Sequence, residues 1–239
     1  MHNLNSIETL KKVALFHSLT SEELEGLSNV VTQRSCLKSE IIYESDKPGE
    51  ECFILLKGWV KLCLGLEDGR EVSFEILGPG DFFGEGVLLE SPCYNCTAQA
   101  IERVELLGLT RRQILQLMEN NGHFSLQIAR YLVQRLADFR QRQEMLVHGA
   151  NIRFARLLLT LAKRYGTPSS GSDIQLNLKL THQEMANLIG TARETITLTI
   201  GKFRNEGILA GSGSTFVIKD RAELERRAWP TSENNYNIS

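Results

Sequence analysis

The spacing of hydrophobic positions changes twice along the chain. Between residues 7 and 33 the apolar positions are spaced as in helices, and Thr20 to Glu23 has the form of a capped helix start. From Glu40 to about Leu109, short apolar or alternating runs are separated by turns that contain Gly or Pro. This second pattern predicts many short strands that form an antiparallel barrel or sandwich.

Helical spacing returns at about Arg111 and continues through a long stretch that starts near His123. A seam of apolar residues along this stretch recurs mainly at seven-residue intervals, which predicts burial against another helix. That helix belongs either to a second copy or to the chain's own barrel. We favour a second copy, because a long charged helix between two domains has few partners in its own chain. The predicted dimer residues are Ile128, Leu132, Leu136, Phe139 and Leu146.

Two short predicted helices follow a further helix at 151–164. Thr181 and Glu184 have the spacing of a capping box, and the helix that they open ends at Gly190. A second helix begins near Ala192, and a Gly- and Ser-rich turn after it leads into an apolar strand. This order of elements is typical of a winged helix-turn-helix, whose second helix enters the major groove of DNA.

The first exposed turn of the second helix carries the side chains suited to reading bases. Arg193 can form two hydrogen bonds with guanine, Glu194 can accept one from cytosine, and Leu198 can contact a thymine methyl group. Hydroxyls and amides at the helix starts are placed for phosphates. The predicted DNA-binding residues are Thr181, His182, Thr191, Ala192, Arg193, Glu194, Thr195, Thr197 and Leu198.

Composition and charge narrow the class of protein. The 239 residues are 42% hydrophobic and 23% charged, with a net charge of −2. Residues 1–148 carry 15 Lys and Arg against 21 Asp and Glu, whereas residues 149–239 carry 12 against 8, which favours a polyanionic partner for the second part. There is no apolar run of membrane-spanning length and no secretion signal, and the five cysteines suit a reducing compartment. We therefore expect a cytoplasmic protein with no membrane partner.

Enzyme signatures are missing from the sequence. No P-loop, G-x-S-x-G, H-E-x-x-H or paired-acid motif occurs, and Asp81 and Glu85 lie in a Gly-rich turn without a base or nucleophile beside them. The sequence therefore predicts a protein that is not an enzyme. Besides DNA binding, one alternative stays open: a ligand-sensing module that acts through a protein partner. Selective binding to DNA would distinguish the two.

Together these motifs resemble the cyclic-AMP receptor protein and FNR superfamily of bacterial transcription regulators, over about residues 10–222. The segment from Gly78 to Glu85 is similar to the family's β-roll, and the segment from Thr181 to Thr195 is similar to its DNA-reading unit. The resemblance implies an α+β fold with an N-terminal β-roll like those that bind cyclic nucleotides, a long dimerisation helix and a C-terminal winged helix-turn-helix. It also implies a homodimeric activator that binds palindromic promoter DNA and contacts RNA polymerase. The expected parts are a β-roll sensor at 1–120, the dimerisation helix at 121–148, the DNA-binding domain at 149–228 and a flexible tail at 229–239.

The resemblance also places an effector pocket in the β-roll. In the family's cyclic-nucleotide binders, a Gly-Glu pair and a later Arg-Ser pair hold the ribose and the cyclic phosphate. Gly84 and Glu85 match the first pair, but Tyr94 and Asn95 stand at the second and supply no cation. Losing such an Arg contact costs about 1.5–3 kcal/mol.

A second departure lies on the dimer helix, where Asp138 and Phe139 replace the family's Thr-Ser and an acidic group would repel a phosphodiester. We therefore expect an unidentified small-molecule effector other than cyclic AMP. The predicted pocket residues are Phe83, Gly84, Glu85, Gly86, Val87, Tyr94, Asn95, Asp138 and Phe139.

Other cofactors find little support in the residues. An iron–sulfur cluster of the FNR kind needs four thiolates, including several near the N-terminus, and the first cysteine here is Cys36. No local pattern selects a haem ligand among the histidines, and no metal site is predicted. Cys93 and Cys96 form a single C-x-x-C, which is either a dithiol redox switch or, as we favour, two small half-buried residues.

Overall fold

The computed structural model describes residues 7–8, 10–11, 13–65, 71–144, 147–178, 180–211 and 215–230. The chain divides into two compact units. Unit 1 comprises Met1–Glu71 and Glu75–Arg140, and unit 2 comprises Val72–Phe74 and Gln141–Ser239. The finer domain boundaries expected from the sequence stay a prediction, and residues 231–239 of the expected tail lie outside the described residues.

Unit 1 is built on two antiparallel four-stranded sheets, in the orders β1-β8-β3-β6 and β2-β7-β4-β5. The strands are β1 (Thr32–Cys36), β2 (Ile41–Tyr43), β3 (Glu51–Lys57), β4 (Val60–Gly65), β5 (Glu71–Leu77), β6 (Phe82–Phe83), β7 (Thr97–Ala100) and β8 (Val104–Thr110). The predicted series of short strands is confirmed. The expected helical region up to residue 33 was too long, because Thr32 and Gln33 pair with Gly108 and Leu107 of β8.

Tight turns join these strands where the sequence has Gly. Gly58, between β3 and β4, has φ +86°. A Cβ atom there would lie 2.6 Å from the carbonyl oxygen of Arg103, closer than real Cβ atoms approach. The turn therefore requires glycine on both conformational and steric grounds.

Three helices that the structure describes from end to end lie beside the sheets. They are α1 (Ser21–Ser28), α2 (Arg111–Asn120) and α3 (Gly122–Glu144), with short 3-10 helices at Ala14–Phe16 and Glu85–Leu88. The capping box predicted for α1 is confirmed, because the Thr20 hydroxyl accepts from the Glu23 amide at 3.2 Å and the Glu23 carboxylate accepts from the Thr20 amide at 2.7 Å. α3 packs on unit 1 through Phe124, whose ring stacks on Phe16 with centroids 6.0 Å apart.

Unit 2 is a small helical domain with one four-stranded sheet, in the order β11-β12-β10-β9. Its elements are α4 (Ala150–Tyr165), β9 (Thr167–Pro168), β10 (Ile174–Asn177), α5 (His182–Ile189), α6 (Arg193–Asn205), β11 (Leu209–Ala210), β12 (Thr215–Ile218) and α7 (Arg221–Ala228). The rings of Phe154 on α4 and Phe203 on α6 lie 5.9 Å apart in its core. β12 pairs with both β10 and β11, which confirms the predicted wing, although residues 212–214 of its turn lie outside the described residues.

Candidate functional site

The predicted capping box at the start of α5 is confirmed. The Thr181 hydroxyl accepts from the Glu184 amide at 3.1 Å and donates to the Glu184 carboxylate at 2.8 Å. The same carboxylate accepts from the Thr181 amide at 2.7 Å. Both donors of Thr181 are therefore engaged within the chain, and its predicted contact with DNA stays a prediction.

Removing this cap is expected to destabilise unit 2. In a Thr181→Ala variant, the α5 amide loses its side-chain acceptor, and the free energy of unfolding should fall by about 1 kcal/mol. Urea unfolding followed by circular dichroism measures the change. Thr160→Ala is the matched control, because Thr160 is exposed in the middle of α4 and Ala is the better helix former. A Thr181→Ala variant as stable as this control would contradict the role of the cap.

The turn between α5 and α6 is held in one conformation. Gly190 has φ 62° and ψ 54°, the left-handed conformation that ends a helix. The Arg153 guanidinium, on α4, donates to the Gly190 carbonyl at 3.1 Å and to the His148 carbonyl at 2.9 Å. The sequence predicts Gly190, but it does not show Arg153, because this contact joins residues far apart in the chain.

α6 has a buried underside and an exposed reading face. Ile196, Ile200 and Phe203 are buried, as the helical spacing predicts. The first turn of α6 exposes Arg193 and Glu194. The helix has no side-chain cap at Ala192, so its first amides are open to an anion. The predicted DNA-binding residues thus lie at the N-cap of α5, on α5 and α6, and in the turn between the two helices.

Thr197 and His182 tie the two helices together on the exposed side. The Thr197 hydroxyl donates to the Arg193 carbonyl at 3.0 Å, and it lies 2.9 Å from His182 Nδ1. This contact uses one ring nitrogen of His182 and leaves Nε2 as the other. Leu198, beside Thr197, is 75% exposed.

A buried hydrogen bond also joins α6 to α4. The Thr199 hydroxyl, which is 3% exposed, donates to the Thr195 carbonyl at 2.8 Å and lies 2.9 Å from the side-chain oxygen of Asn151 on α4. Sequence reasoning missed this pair. The signal that would have found it is a polar residue on the apolar side of α6, which requires a partner when it is buried.

Several residues of the predicted effector pocket lie in or beside the turn after β6, and their binding of an effector stays a prediction. Gly84 has φ +80°, and a Cβ on Gly86 would lie 1.9 Å from the Cys93 carbonyl oxygen. Tyr94 is buried, and its ring stacks on Tyr43 with centroids 4.0 Å apart. Its hydroxyl donates to the Glu51 carbonyl at 2.7 Å. Tyr94 is thus packed into unit 1, while Asn95 is exposed and accepts a hydrogen bond from the Cys93 thiol.

A cation does enter this region, from α3. Arg135 Nη2 lies 2.6 Å from Glu75 Oε2, and Arg135 Nη1 lies 3.0 Å from Glu85 Oε1. The apolar spacing of α3 does not predict this contact, because Arg135 is a charged residue between positions of the predicted seam. Asp138, one turn further on, accepts from the Gln134 amide at 2.8 Å, and Phe139 is 44% exposed. The contacts of α3 with Glu85 thus come from Arg135, and the pocket role of Asp138 and Phe139 stays a prediction.

α3 carries a second, exposed apolar face. Among the predicted dimer residues, Leu136 and Phe139 are 48% and 44% exposed, and Leu132 is partly exposed. Leu126 and Val133, which are not among the predicted dimer residues, are 46% and 66% exposed on the side of α3 that also carries Leu136. Ile128 requires a correction, because it is 1% exposed and buried within its own protomer. Leu146 lies outside the described residues.

The cysteines are free thiols, and Cys93 and Cys96 are both partly exposed. Burial raises the pKa of Cys96 to about 11, and the Glu85 carboxylate adds to this shift. The thiolate is the reactive form in oxidation and exchange, so a raised pKa makes Cys96 a poor redox centre. The environment of Cys96 therefore supports a packing role over a dithiol switch.

The rate of alkylation tests whether the pKa of Cys96 is raised in the folded chain. At pH 8, a thiol with a pKa of about 11 is ionised on the order of 100-fold less than an ordinary thiol near 8.5. Cys96 in the folded chain should therefore react with iodoacetamide on the order of 100-fold more slowly than in the urea-unfolded chain. Mass spectrometry with fragment ions separates Cys96 from Cys93 in the same peptide. If Cys96 reacts at equal rates in the folded and unfolded chains, the raised pKa of its thiol is contradicted.

Tyr43 and Tyr94 also line an open cavity of about 470 Å³. Charged residues of both signs surround its aromatic wall, among them Arg34, Lys47 and Glu50. Sequence reasoning gave no sign of this cavity, because its lining comes from β1, β2, β3 and the loops beside them.

Models of known protein domains match a part of each unit. A cyclic nucleotide-binding domain model matches residues 33–121, and a Crp-like helix-turn-helix domain model matches residues 152–227. The global nitrogen regulator of Nostoc sp. is 31% identical over 195 residues, which cover 80% of this chain and 86% of that protein. The chain belongs to the CRP/FNR family of transcription regulators.

Other members of the CRP/FNR family are similar over most of their length. The CRP-like cAMP-activated global transcriptional regulator of Mycobacterium tuberculosis is 27% identical over 222 residues, covering 92% of this chain and 99% of that protein. FixK2 from Bradyrhizobium japonicum, at 24% identity, has the same fold, with a TM-score of 0.74 over 82% of this chain and 96% of that one. The predicted α+β fold of the CRP/FNR family is confirmed, and the family consists of transcription regulators, not enzymes.

The Crp-like helix-turn-helix match makes this chain a DNA-binding regulator. It favours DNA over the alternative in which a ligand-sensing module acts through a protein partner. Along the described residues, no helix combines the length and the apolar character needed to cross a lipid bilayer.

Proposed function

We propose that the chain is a homodimeric cytoplasmic transcription regulator that reads two-fold-symmetric promoter DNA through α6 of each protomer and contacts RNA polymerase. The observation that carries the proposal is the first turn of α6. It exposes Arg193 and Glu194 on a helix whose opposite side is buried. Arg193 is assigned to guanine, Glu194 to cytosine and Leu198 to a thymine methyl group.

The exposed apolar face of α3 supports the dimer. Leu126, Val133 and Leu136 lie on one side of the helix, and the first two are seven positions apart. The opposite side, which includes Phe124 and Ile128, is buried in unit 1. An apolar stripe of this kind, left uncovered in the protomer, fits knobs-into-holes packing against the same stripe of a second copy. The two α6 helices of the dimer would then read half-sites one helical turn, about 34 Å, apart.

The β-roll is the proposed regulatory part, and the signal is proposed to differ from cyclic AMP. Tyr94 is buried and hydrogen-bonded to the backbone of β3, so it offers no charge to a cyclic phosphate. A signal at this site would shift the population of dimers between arrangements that do and do not fit successive major grooves.

Selection from a pool of random duplexes tests the proposed function. The purified, reduced chain is expected to enrich an inverted repeat with half-site centres about one helical turn apart. The selection is repeated with added cyclic AMP and with a mild oxidant. An enriched motif without two-fold symmetry would contradict the dimeric reading, and binding to no duplex in any of these conditions would contradict DNA reading by α6.

A further inference from the structure

The β-roll holds one guanidinium between two carboxylates. Arg135 of α3 pairs with Glu75 of β5 and with Glu85 of the 3-10 helix at Glu85–Leu88. The side chains of Arg135 and Glu75 are 13% and 3% exposed, whereas that of Glu85 is 36% exposed. Arg135 therefore has one partner, Glu75, that is buried away from water. Its other partner, Glu85, is partly exposed and belongs to the predicted effector pocket.

The charge of Arg135 is secure in this position. Burial lowers the pKa of its guanidinium, but Glu75 and Glu85 outweigh burial and raise that pKa above its usual value. Its guanidinium carbon also lies 6.0 Å from the ring centroid of Tyr131. The Tyr131 hydroxyl donates to the Phe82 carbonyl at 2.6 Å, so two successive turns of α3 are tied to the β-roll.

We infer that the β-roll binds the guanidinium of Arg135 as a built-in cationic ligand, and that this contact, in place of a bound nucleotide, fixes the rotation of α3. This inference rests on the proposed function only for its effect on DNA. The site it assigns is one for a planar guanidinium, because one nitrogen of the group donates a hydrogen bond to Glu75 and another lies within ion-pair distance of Glu85.

Charge and position both support this role. One cation and two carboxylates leave the cluster with a net charge of −1, so a cyclic phosphate would be repelled from it unless Arg135 first left Glu85. Arg135 also precedes Leu136, which lies on the exposed face of α3. Holding Arg135 against the β-roll therefore sets the direction in which the Leu126, Val133 and Leu136 face points.

Chemical rescue tests the site without DNA. An Arg135→Ala variant leaves Glu75 buried without its cation, and its melting temperature should fall by roughly 5 °C or more. Methylguanidinium chloride at millimolar concentration, far below denaturing levels, should restore at least half of that loss. Tetramethylammonium chloride at the same concentration should not, because it cannot donate hydrogen bonds.

Matched variants keep the test decisive. Arg130→Ala removes an exposed Arg from the same helix, and its melting temperature should match that of the wild-type chain in both salts. If Arg135→Ala does not fold alone, methylguanidinium should increase its refolding yield where tetramethylammonium does not. The inference is overturned if methylguanidinium acts on Arg135→Ala no more than on Arg130→Ala, in melting or in refolding.

The second arm measures the link to DNA, with Glu85→Gln and its control Glu90→Gln. Glu85→Gln leaves the buried Arg135–Glu75 pair intact, so the fold should persist. Its affinity for the selected duplex should nevertheless fall roughly tenfold. Glu90 is an exposed carboxylate five residues further on, and Glu90→Gln should bind like the wild-type chain.

The two arms separate the two claims. Wild-type binding should change less than about twofold when cyclic AMP is added. Glu85→Gln with wild-type affinity, or a large gain from cyclic AMP in the wild-type chain, would overturn the regulatory part of the inference. If the wild-type chain binds no duplex, the proposed function fails, and the outcome of the methylguanidinium experiment still decides for or against the site.

Discussion

A Val133→Glu variant is expected to be monomeric at micromolar concentration and to lose most of its affinity for an inverted repeat. Val133 is 66% exposed in the protomer, on the apolar face of α3. In a dimer built on that face, the substitution buries an unpaired carboxylate from each copy, which costs several kcal/mol. Without the dimer, the second half-site no longer binds within one complex, and affinity should fall on the order of 100-fold.

Analytical ultracentrifugation and fluorescence anisotropy measure the two effects. Val30→Glu is the matched control, because Val30 is 48% exposed in unit 1 and lies outside α3. This control is expected to remain dimeric and to bind the inverted repeat as the wild-type chain does. A dimeric Val133→Glu variant with unchanged affinity would show that another surface joins the protomers.

The second large effect is expected from Arg193→Ala. Removing two hydrogen bonds to one guanine should cost about 1–3 kcal/mol at the preferred site and relax selectivity at that base pair alone. Binding to random duplexes should change much less. Anisotropy titrations against a set of single-base variants of the site measure both quantities, at one stated salt concentration.

Arg226→Ala controls for the loss of a positive charge from unit 2. Arg226 lies on α7 and is 75% exposed, outside the helix-turn-helix. It is expected to leave the pattern of base preferences unchanged. If Arg193→Ala weakens all sequences equally and reduces the salt slope by about one, Arg193 is a phosphate contact and the base assignment is wrong.

The helix-turn-helix could be predicted from the sequence because its signals are local. Thr181 and Glu184 lie three residues apart, and Gly190 adopts its left-handed conformation within the turn itself. The buried positions of α6, which are Ile196, Ile200 and Phe203, also follow helical spacing. What escaped prediction here, such as the contact of Arg153 with Gly190, depends on where a separate helix packs.

α3 was harder to predict because two of its faces are apolar. One face packs on the β-roll and the other is exposed, and treating the apolar positions as one seam assigned Ile128 to the wrong face. The inner face also ends in Arg135, a charged residue that hydrophobic spacing alone places in solvent. Its partners Glu75 and Glu85 come from separate strands and turns, so the sequence offered no sign of the cluster.

The strand β1 also could not be predicted from the spacing of hydrophobic residues. The segment Thr32–Cys36 is mostly polar and has only Cys36 buried, so neither helix nor strand spacing is evident in it. It forms a strand because β8 offers it a partner at the edge of the sheet. Tertiary pairing of this kind overrides local preference.

The most direct test of the account compares one selected half-site with its inverted repeat. Anisotropy titrations of the wild-type chain are made on both duplexes, at equal length and equal salt. If the two α6 helices of a dimer bind one duplex together, the affinity for the inverted repeat should be roughly 100-fold or more higher than the affinity for the single half-site. Equal affinity for the two duplexes would contradict the claim that this chain reads DNA as a two-fold-symmetric dimer.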